Sequence, residues 1–194
     1  MRTVLAVAAA VLLLAAAAFS WRNRTQPELL PRDGARLEIA YFAGGCFWCM
    51  EPEFDHLPGV VHVRAGYAGV GDERRETVEI WFDPASTSYA LLLDHFWRSV
   101  DPVDDGGQFC DRGRNYTSAI YTRDERQARS AAESRLSIER GLGARVSTVV
   151  VPYDTFEPAA EDDQNYYRKH PVRYAFYRLN CERDSRLAQV WSER

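Results

Sequence analysis

The sequence predicts an α+β fold: a single two-layer domain, a mixed β-sheet covered by helices, preceded by an N-terminal apolar signal or anchor. Three observations carry this. Segments with β-formers interleave with segments of helical period, but without strict strand–helix–strand repetition, which favours helices packed on one sheet. The chain has 194 residues, which suits one domain plus a short leader. Hydrophobic residues make up 46% and charged residues 27%, ordinary values for a packed soluble domain.

The elements follow in order. Arg2 precedes an uninterrupted apolar run from Val4 to Phe19, which reads as the hydrophobic region of a secretory signal. It is short for a membrane span of ~20 residues. Ala16-Ala17-Ala18 offers small residues for cleavage, and an uncleaved anchor is the alternative. Residues 1–20 are therefore read as signal peptide or membrane anchor. Pro27, Pro31 and Gly34 mark 21–35 as a linker, and 36–194 as the folded domain. An exported, periplasmic or otherwise extracytoplasmic location is expected.

Within the domain, residues 37–42 read as a strand broken by Gly44-Gly45. Residues 46–57 carry Phe47, Met50, Phe54 and Leu57 at helical spacing. Strands are expected over 60–67 and 77–82, the latter ended by Asp83-Pro84. The segment 88–100 is an amphipathic helix with Leu92, Leu93, Phe96 and Trp97. A strand over 118–122, a charged helix over 124–141, a buried strand over 148–151 and short helices over 164–169 and 184–191 complete the pattern. A net charge of −4 without a basic stripe gives no reason to expect a nucleic-acid partner. The four histidines (His56, His62, His95, His170) show no ligand spacing, and no metal site is expected.

Four cysteines remain: Cys46, Cys49, Cys110 and Cys181. In an exported chain an even count usually means structural disulfides. Cys46 argues otherwise, because it stands at a strand–turn–helix junction. Unpaired backbone N–H groups and the helix dipole there favour a thiolate. Gly44 and Gly45 permit positive-φ geometry and a close approach. Phe47 and Trp48 form an apolar wall beside the thiol. The Cys46-x-x-Cys49 spacing alone is ambiguous between a redox pair and half of a zinc site. Cys110 reads as a small buried filler, and Glu51 as a charge that favours the dipole of the first helix.

Gly-Gly-Cys-Phe-Trp at 44–48, followed by Glu51, Phe54 and Leu57-Pro58-Gly59-Val60, resembles the active-site signature of the A-type peptide methionine sulfoxide reductases. The likeness continues in order through Ala65-Gly66-Tyr67-Ala68-Gly69, 76–84, Phe96-Trp97 with Asp101-Pro102, 108–121, 156–167 and the tail around Cys181, so it spans roughly 37–191. The resemblance implies reduction of methionine-S-sulfoxide, free and in peptides or proteins. Cys46 would be the nucleophile, Glu76 the proton donor, and Tyr116 a hydrogen-bonding partner of the sulfoxide oxygen. Asp111 would support the site, and Phe47 and Trp48 would cradle the S-methyl group. It further implies a sulfenic acid on Cys46, a disulfide with a resolving cysteine, no bound cofactor, and reset by an external thioredoxin-like dithiol. Cys181 in the polar tail is the first candidate for resolution and Cys49 the alternative; a monomer is expected.

Two departures stand out. Between Gly69 and Glu76 the chain is shorter than the family pattern, lacks a second tyrosine and carries Arg74-Arg75 in place of His-Ala. The family's His-Gln reads Asp163-Gln164 here. Two other classes are weighed beside the reductase. A thiol–disulfide oxidoreductase using Cys46-x-x-Cys49 is disfavoured by the bulk of Phe47-Trp48. A zinc module is disfavoured because the four cysteines do not form two Cys-x-x-Cys knuckles.

Overall fold

The computed structural model describes residues 36–191, so the expected leader and linker (1–35) lie outside the described residues. Its strands are β1 (Glu38–Ala43), β2 (Val60–Ala68), β3 (Arg75–Phe82), β4 (Gly107–Gln108), β5 (Asp111–Arg112), β6 (Ala119–Thr122), β7 (Val149–Pro152) and β8 (Phe156–Pro158). Its helices are α1 (Phe47–Asp55), α2 (Tyr89–Arg98), α3 (Glu125–Leu142), α4 (Tyr166–Lys169), α5 (Pro171–Asn180) and α6 (Arg183–Trp191). Six strands form one mixed sheet in the order β7-β6-β1-β3-β2-β8, and β4 and β5 form a separate hairpin. Only β6 and β7 run parallel; α3 and its flanking loops connect them, as a parallel pair requires. The α+β expectation holds. Among the described residues no helix is long and apolar enough to cross a membrane.

The period-2 alternation of the strands makes two apolar faces. Ala40, Phe42, Val63, Val78, Ile80, Phe82 and Ile120 point to the face covered by α1, α2 and α3. There they meet Phe54, Leu92, Leu93, Phe96 and Trp97. Tyr41, Ala43, Ala68 and Tyr121 point to the other face, where Tyr153, in a loop, and Phe156, which opens β8, cover them. Tyr41 stacks on Tyr153 with ring centroids 4.4 Å apart. Local signals bound the helices, and the charged helix runs past Gly141, where the sequence predicts its end, to Leu142. Ser88 accepts from the Leu91 amide and Asp124 from the Gln127 amide, each satisfying an orphan N–H of its helix. Gly143, left-handed at φ 61°, ends α3.

The sequence predicts none of the short strands β4, β5 and β8, and two further features differ from expectation. The sequence reading places no helix between 170 and 183, yet α5 fills this stretch, with Pro171 at its first position, where a missing N–H costs nothing. Its apolar residues Val172, Phe176 and Leu179 are 71–81% exposed, so its inner face is lined instead by Tyr174, Tyr177 and Arg178. Cys110, expected to be a buried filler, is exposed and disulfide-bonded to Cys181, with 4.8 Å between their Cα atoms. Phe109, left-handed at φ 55°, turns the short hairpin between β4 and β5 outward at this point.

Candidate active site

Cys46 follows β1 and is the N-terminal cap residue of α1. The two glycines before it have separate jobs. Gly45 takes φ 85°, and a Cβ there would lie 2.6 Å from the Gln108 Cβ. A Cβ on Gly44 would strike the Met50 side chain at 2.5 Å. The close approach these glycines permit is therefore to the protein's own hairpin and helix. Gln108 is locked in turn by a two-way pairing with the Asp101 backbone, 2.8 Å in each direction.

Glu76, near the start of the inner strand β3, turns its Oε2 to accept from the Phe47 amide at 3.0 Å. Tyr116, on the single turn Arg114–Tyr116, also hydrogen-bonds this carboxylate. Burial pushes the Glu76 carboxyl up to about 7, against the pull of those hydrogen bonds; the negative charges of Asp111 and Asp163 push the same way. The same burial moves the Tyr116 hydroxyl up to about 12. At neutral pH the Tyr116 hydroxyl therefore keeps its proton and Glu76 is about half protonated, side by side at the nucleophile.

Cys46 and Cys49 lie one turn apart on α1 and are both buried and unpaired. They hydrogen-bond each other. The Cys46 thiol is pushed up, first by that bond, then by burial and by the charges of Cys49 and Glu76. Cys49 is pulled down, first by the same bond and then, against burial, by the guanidinium groups of Arg183 and Arg178. The pair thus behaves as one acid whose remaining proton rests on Cys46. This corrects the expectation of a thiol lowered by its helix terminus: Cys46 is 7% exposed, and desolvation together with its sulfur neighbour outweighs the dipole.

The C-terminal elements close the front of the site. Trp48 stacks on Tyr166 with centroids 3.8 Å apart and donates from Nε1 to Asp163 at 3.1 Å. Asp163, where the family pattern has histidine, therefore orients the indole. Gln164 is buried and brackets Ala65, accepting from its N–H and donating to its C=O. Tyr177, on α5, donates to the Asp111 carboxylate, hydrogen-bonds the Cys46 sulfur and sets its ring edge-on to Trp48 at 6.0 Å. Arg183, 1% exposed, donates to the carbonyls of Ser99 (2.5 Å) and Gly44 (3.5 Å), pinning the glycine turn under the thiol pair. Glu51 is also buried and accepts from the Asn165 amide at 2.9 Å; burial raises it to about 7, so it is no surface charge serving the helix dipole.

Cys46, Phe47, Trp48, Glu76, Asp111 and Tyr116 are thus drawn into one region. Cys181 is joined to Cys110 rather than to Cys46. Tyr177 and Arg183 were missed by the sequence reading. The shortened 69–76 segment is a tight turn (Gly71–Glu73) clamped by Glu73 to Arg75 and Arg114. Arg74 lies over the Tyr67 ring at 4.2 Å. Beside them opens a cavity of ≈ 600 Å³ lined by Tyr67, Gly71, Asp72, Arg74, Arg114 and Asn115. Cys110, Asp111 and Cys181 bring possible metal-ligand atoms within 4.8 Å, but the two sulfurs are bonded to each other and are not free to ligate.

A mixed sheet that presents a thiol at a helix N-cap, a partner thiol and a carboxyl raised to about 7 in one enclosed corner defines a thiol-dependent oxidoreductase. Comparison with known proteins specifies which. The family model "Peptide methionine sulfoxide reductase" matches residues 38–194. The chain is 40% identical over 177 residues to peptide methionine sulfoxide reductase MsrA 2 of Rhizobium meliloti, covering 86% of this chain and 89% of that one. It is also 40% identical over 172 residues to MsrA of Bacillus licheniformis, covering 81% and 95%. Among solved structures it is similar to methionine sulfoxide reductase A of Corynebacterium diphtheriae (TM-score 0.63, 25% identity, 77% of this chain and 78% of that one). The chain belongs to the peptide methionine sulfoxide reductase family.

Proposed function

We propose that this chain reduces methionine-S-sulfoxide, free and within peptides or proteins, to methionine, with Cys46 as nucleophile. The observation that carries this reading is the Glu76 carboxyl, buried, held at about 7 and bonded to the amide next to Cys46. Attack on the sulfoxide sulfur requires its oxygen to be protonated, because bare oxide is a prohibitive leaving group. Glu76 supplies that proton. The Tyr116 hydroxyl hydrogen-bonds the same oxygen, and Asp111 supports the site through Tyr177. Phe47, packed edge-on against Tyr67 at 5.6 Å, and Trp48 form the apolar wall for the S-methyl group.

The oxygen passes to sulfur as a Cys46 sulfenic acid, and methionine leaves. A second thiol then condenses with it, releasing water and forming a disulfide. The sequence puts Cys181 first and Cys49 second for this step; the direct contact of Cys49 with Cys46 supports the reverse order. Cys110, exposed, forms an outlet pair with Cys181: once an external thioredoxin-like dithiol has reduced this disulfide, the two thiols take the oxidation from the Cys46 disulfide by thiol–disulfide exchange and are joined again as the structure has them. No bound cofactor enters any step. The alternative, a general thiol–disulfide oxidoreductase, requires a protein disulfide to reach Cys46 or Cys49, which are 7% and 2% exposed. Residues 1–20 are read as export signal or membrane anchor, 21–35 as linker and 36–194 as a monomeric extracytoplasmic domain; cell fractionation with a tagged chain tests the location.

The decisive experiment incubates the purified protein with a methionine sulfoxide peptide and dithiothreitol, and follows methionine formation. Wild type turns over, Cys46→Ser is inactive, and Glu76→Gln is slowed ~100-fold or more, the usual range for loss of a general acid. No turnover by wild type, or full activity of Cys46→Ser, overturns the reading.

A further inference from the structure

Resting on that reading, we infer that Tyr177 is a further catalytic residue, whose hydroxyl turns from the Asp111 carboxylate to the Cys46 sulfur as that sulfur becomes a thiolate. Three features of α5 point to it. The Tyr177 hydroxyl donates to Asp111 and also lies in hydrogen-bonding contact with Cys46, yet a phenol has one proton to give. Its ring is fixed edge-on to Trp48, so only the hydroxyl is free to reorient. The backbone is fixed too. The Cys181 amide donates to the Tyr177 carbonyl at 3.0 Å, and Cys181 is disulfide-bonded to Cys110, the residue before Asp111. The disulfide therefore staples the chain that carries the donor to the chain that carries its resting acceptor.

The chemistry balances within the site. Of the two thiols Cys49 ionises first, drawn down by its bond with Cys46 and by Arg183 and Arg178, and the proton that remains to the pair sits on Cys46. For attack, the Cys46 S–H bond breaks and that proton passes to Cys49. The net charge of the pair is unchanged. The new Cys46 thiolate sits in a desolvated corner facing the Glu76 carboxyl, and it needs a donor. The Tyr177 O–H supplies one, leaving Asp111 to its remaining surroundings. Phenol donation to the thiolate lowers the cost of moving the proton, which burial and Cys49 otherwise make large. When the sulfenic acid forms, Cys49 carries the proton that departs with its oxygen as water, and the Tyr177 hydroxyl returns to Asp111.

The test measures alkylation of Cys46 by iodoacetamide across pH, without reductant, with Cys46 distinguished from Cys49 by peptide mapping. Tyr177→Phe keeps the ring against Trp48 and removes only the hydroxyl. It is expected to slow Cys46 labelling roughly tenfold at neutral pH and to move the midpoint of its pH profile upward by about one unit, as loss of one hydrogen bond to a charged group should. In turnover it lowers kcat and leaves KM. Asp111→Asn weakens the resting acceptor and speeds labelling, and this gain is lost when combined with Tyr177→Phe. A Tyr177→Phe protein with unchanged labelling profile and kcat overturns the inference, even if its unfolding midpoint falls. So does an Asp111→Asn gain that survives in the double variant, since it would then act through its charge alone. Should Tyr177→Phe not fold, the disulfide offers a second route: Cys110→Ser must depress Cys46 labelling in the folded protein, and an unchanged rate there counts against the staple. Labelling needs no turnover, so its outcome is separate from that of the peptide assay.

Discussion

Glu76→Gln makes the protein more stable and less active, with a pH signature that ties both effects to one carboxyl. The group is raised from 4.5 to about 7 by burial. Each pKa unit is worth about 1.4 kcal/mol, so holding Glu76 ionised in the folded protein costs about 3 kcal/mol above pH 7. The folded pKa lies above the unfolded one. Between roughly pH 4.5 and 7 the native state therefore binds the extra proton, and stability falls as pH rises through this window. Glutamine has no such cost, and its carbonyl can still accept from the Phe47 amide. Urea unfolding, with the disulfide intact, should show wild type and variant alike at pH 4.5 and the variant more stable by about 2–3 kcal/mol at pH 8. Glu51→Gln, at the second carboxyl raised to about 7, should repeat the pH-dependent gain without the large loss of turnover. A Glu76→Gln stability change that is the same at both pH values would refute the desolvation argument, and with it the protonated donor.

Two more outcomes follow from local geometry. Gly45→Ala forces a side chain at φ 85° into the Gln108 Cβ, and should cost about 3 kcal/mol by urea unfolding; a loss within 0.5 kcal/mol, about the noise of a neutral surface change, would show that the turn is not so constrained. Asp163→Ala removes the partner of the Trp48 indole while the stack on Tyr166 remains. Steady-state kinetics should show KM up about fivefold for ~1 kcal/mol of lost positioning, with kcat nearly kept; the opposite split would place Asp163 in the chemistry.

β1, β2, β3, β6, α2, α3 and the Cys46 junction were legible because their apolar residues face inward, so period and burial agree; β4, β5 and β8, of two or three residues each, are too short to show a period, and β7, read as buried, is a half-buried edge strand. α5 was not, for the opposite reason: Val172, Phe176 and Leu179 recur at helical spacing but point to solvent, while its inner residues are tyrosines and an arginine. Glu76 and Tyr116 were found through motif order, but their protonation depends on burial that no local pattern reports. The Cys110–Cys181 pairing joins positions 71 residues apart, and Cys110 sits among polar neighbours that carry no sign of it. Arg183 reads as one more charge in a polar tail; only the fold reveals that it ends among the Gly44 and Ser99 carbonyls.

The enclosure of the thiol pair also has a direction in time. The walls around Cys46 that come from Asp163, Tyr166, Tyr177 and Arg183 all lie in the last 32 residues of the chain, whereas the nucleophile is synthesised in its first third. Until that final segment has emerged and docked, Cys46 and Cys49 stand in a half-built corner open to oxidants and to each other. The long-range contacts that complete the corner are also the slow ones to form. A ribosome-bound or truncated chain lacking α5 and α6 thus leaves the thiol pair without its walls, and the order in which the molecule is made exposes Cys46 before it shelters it.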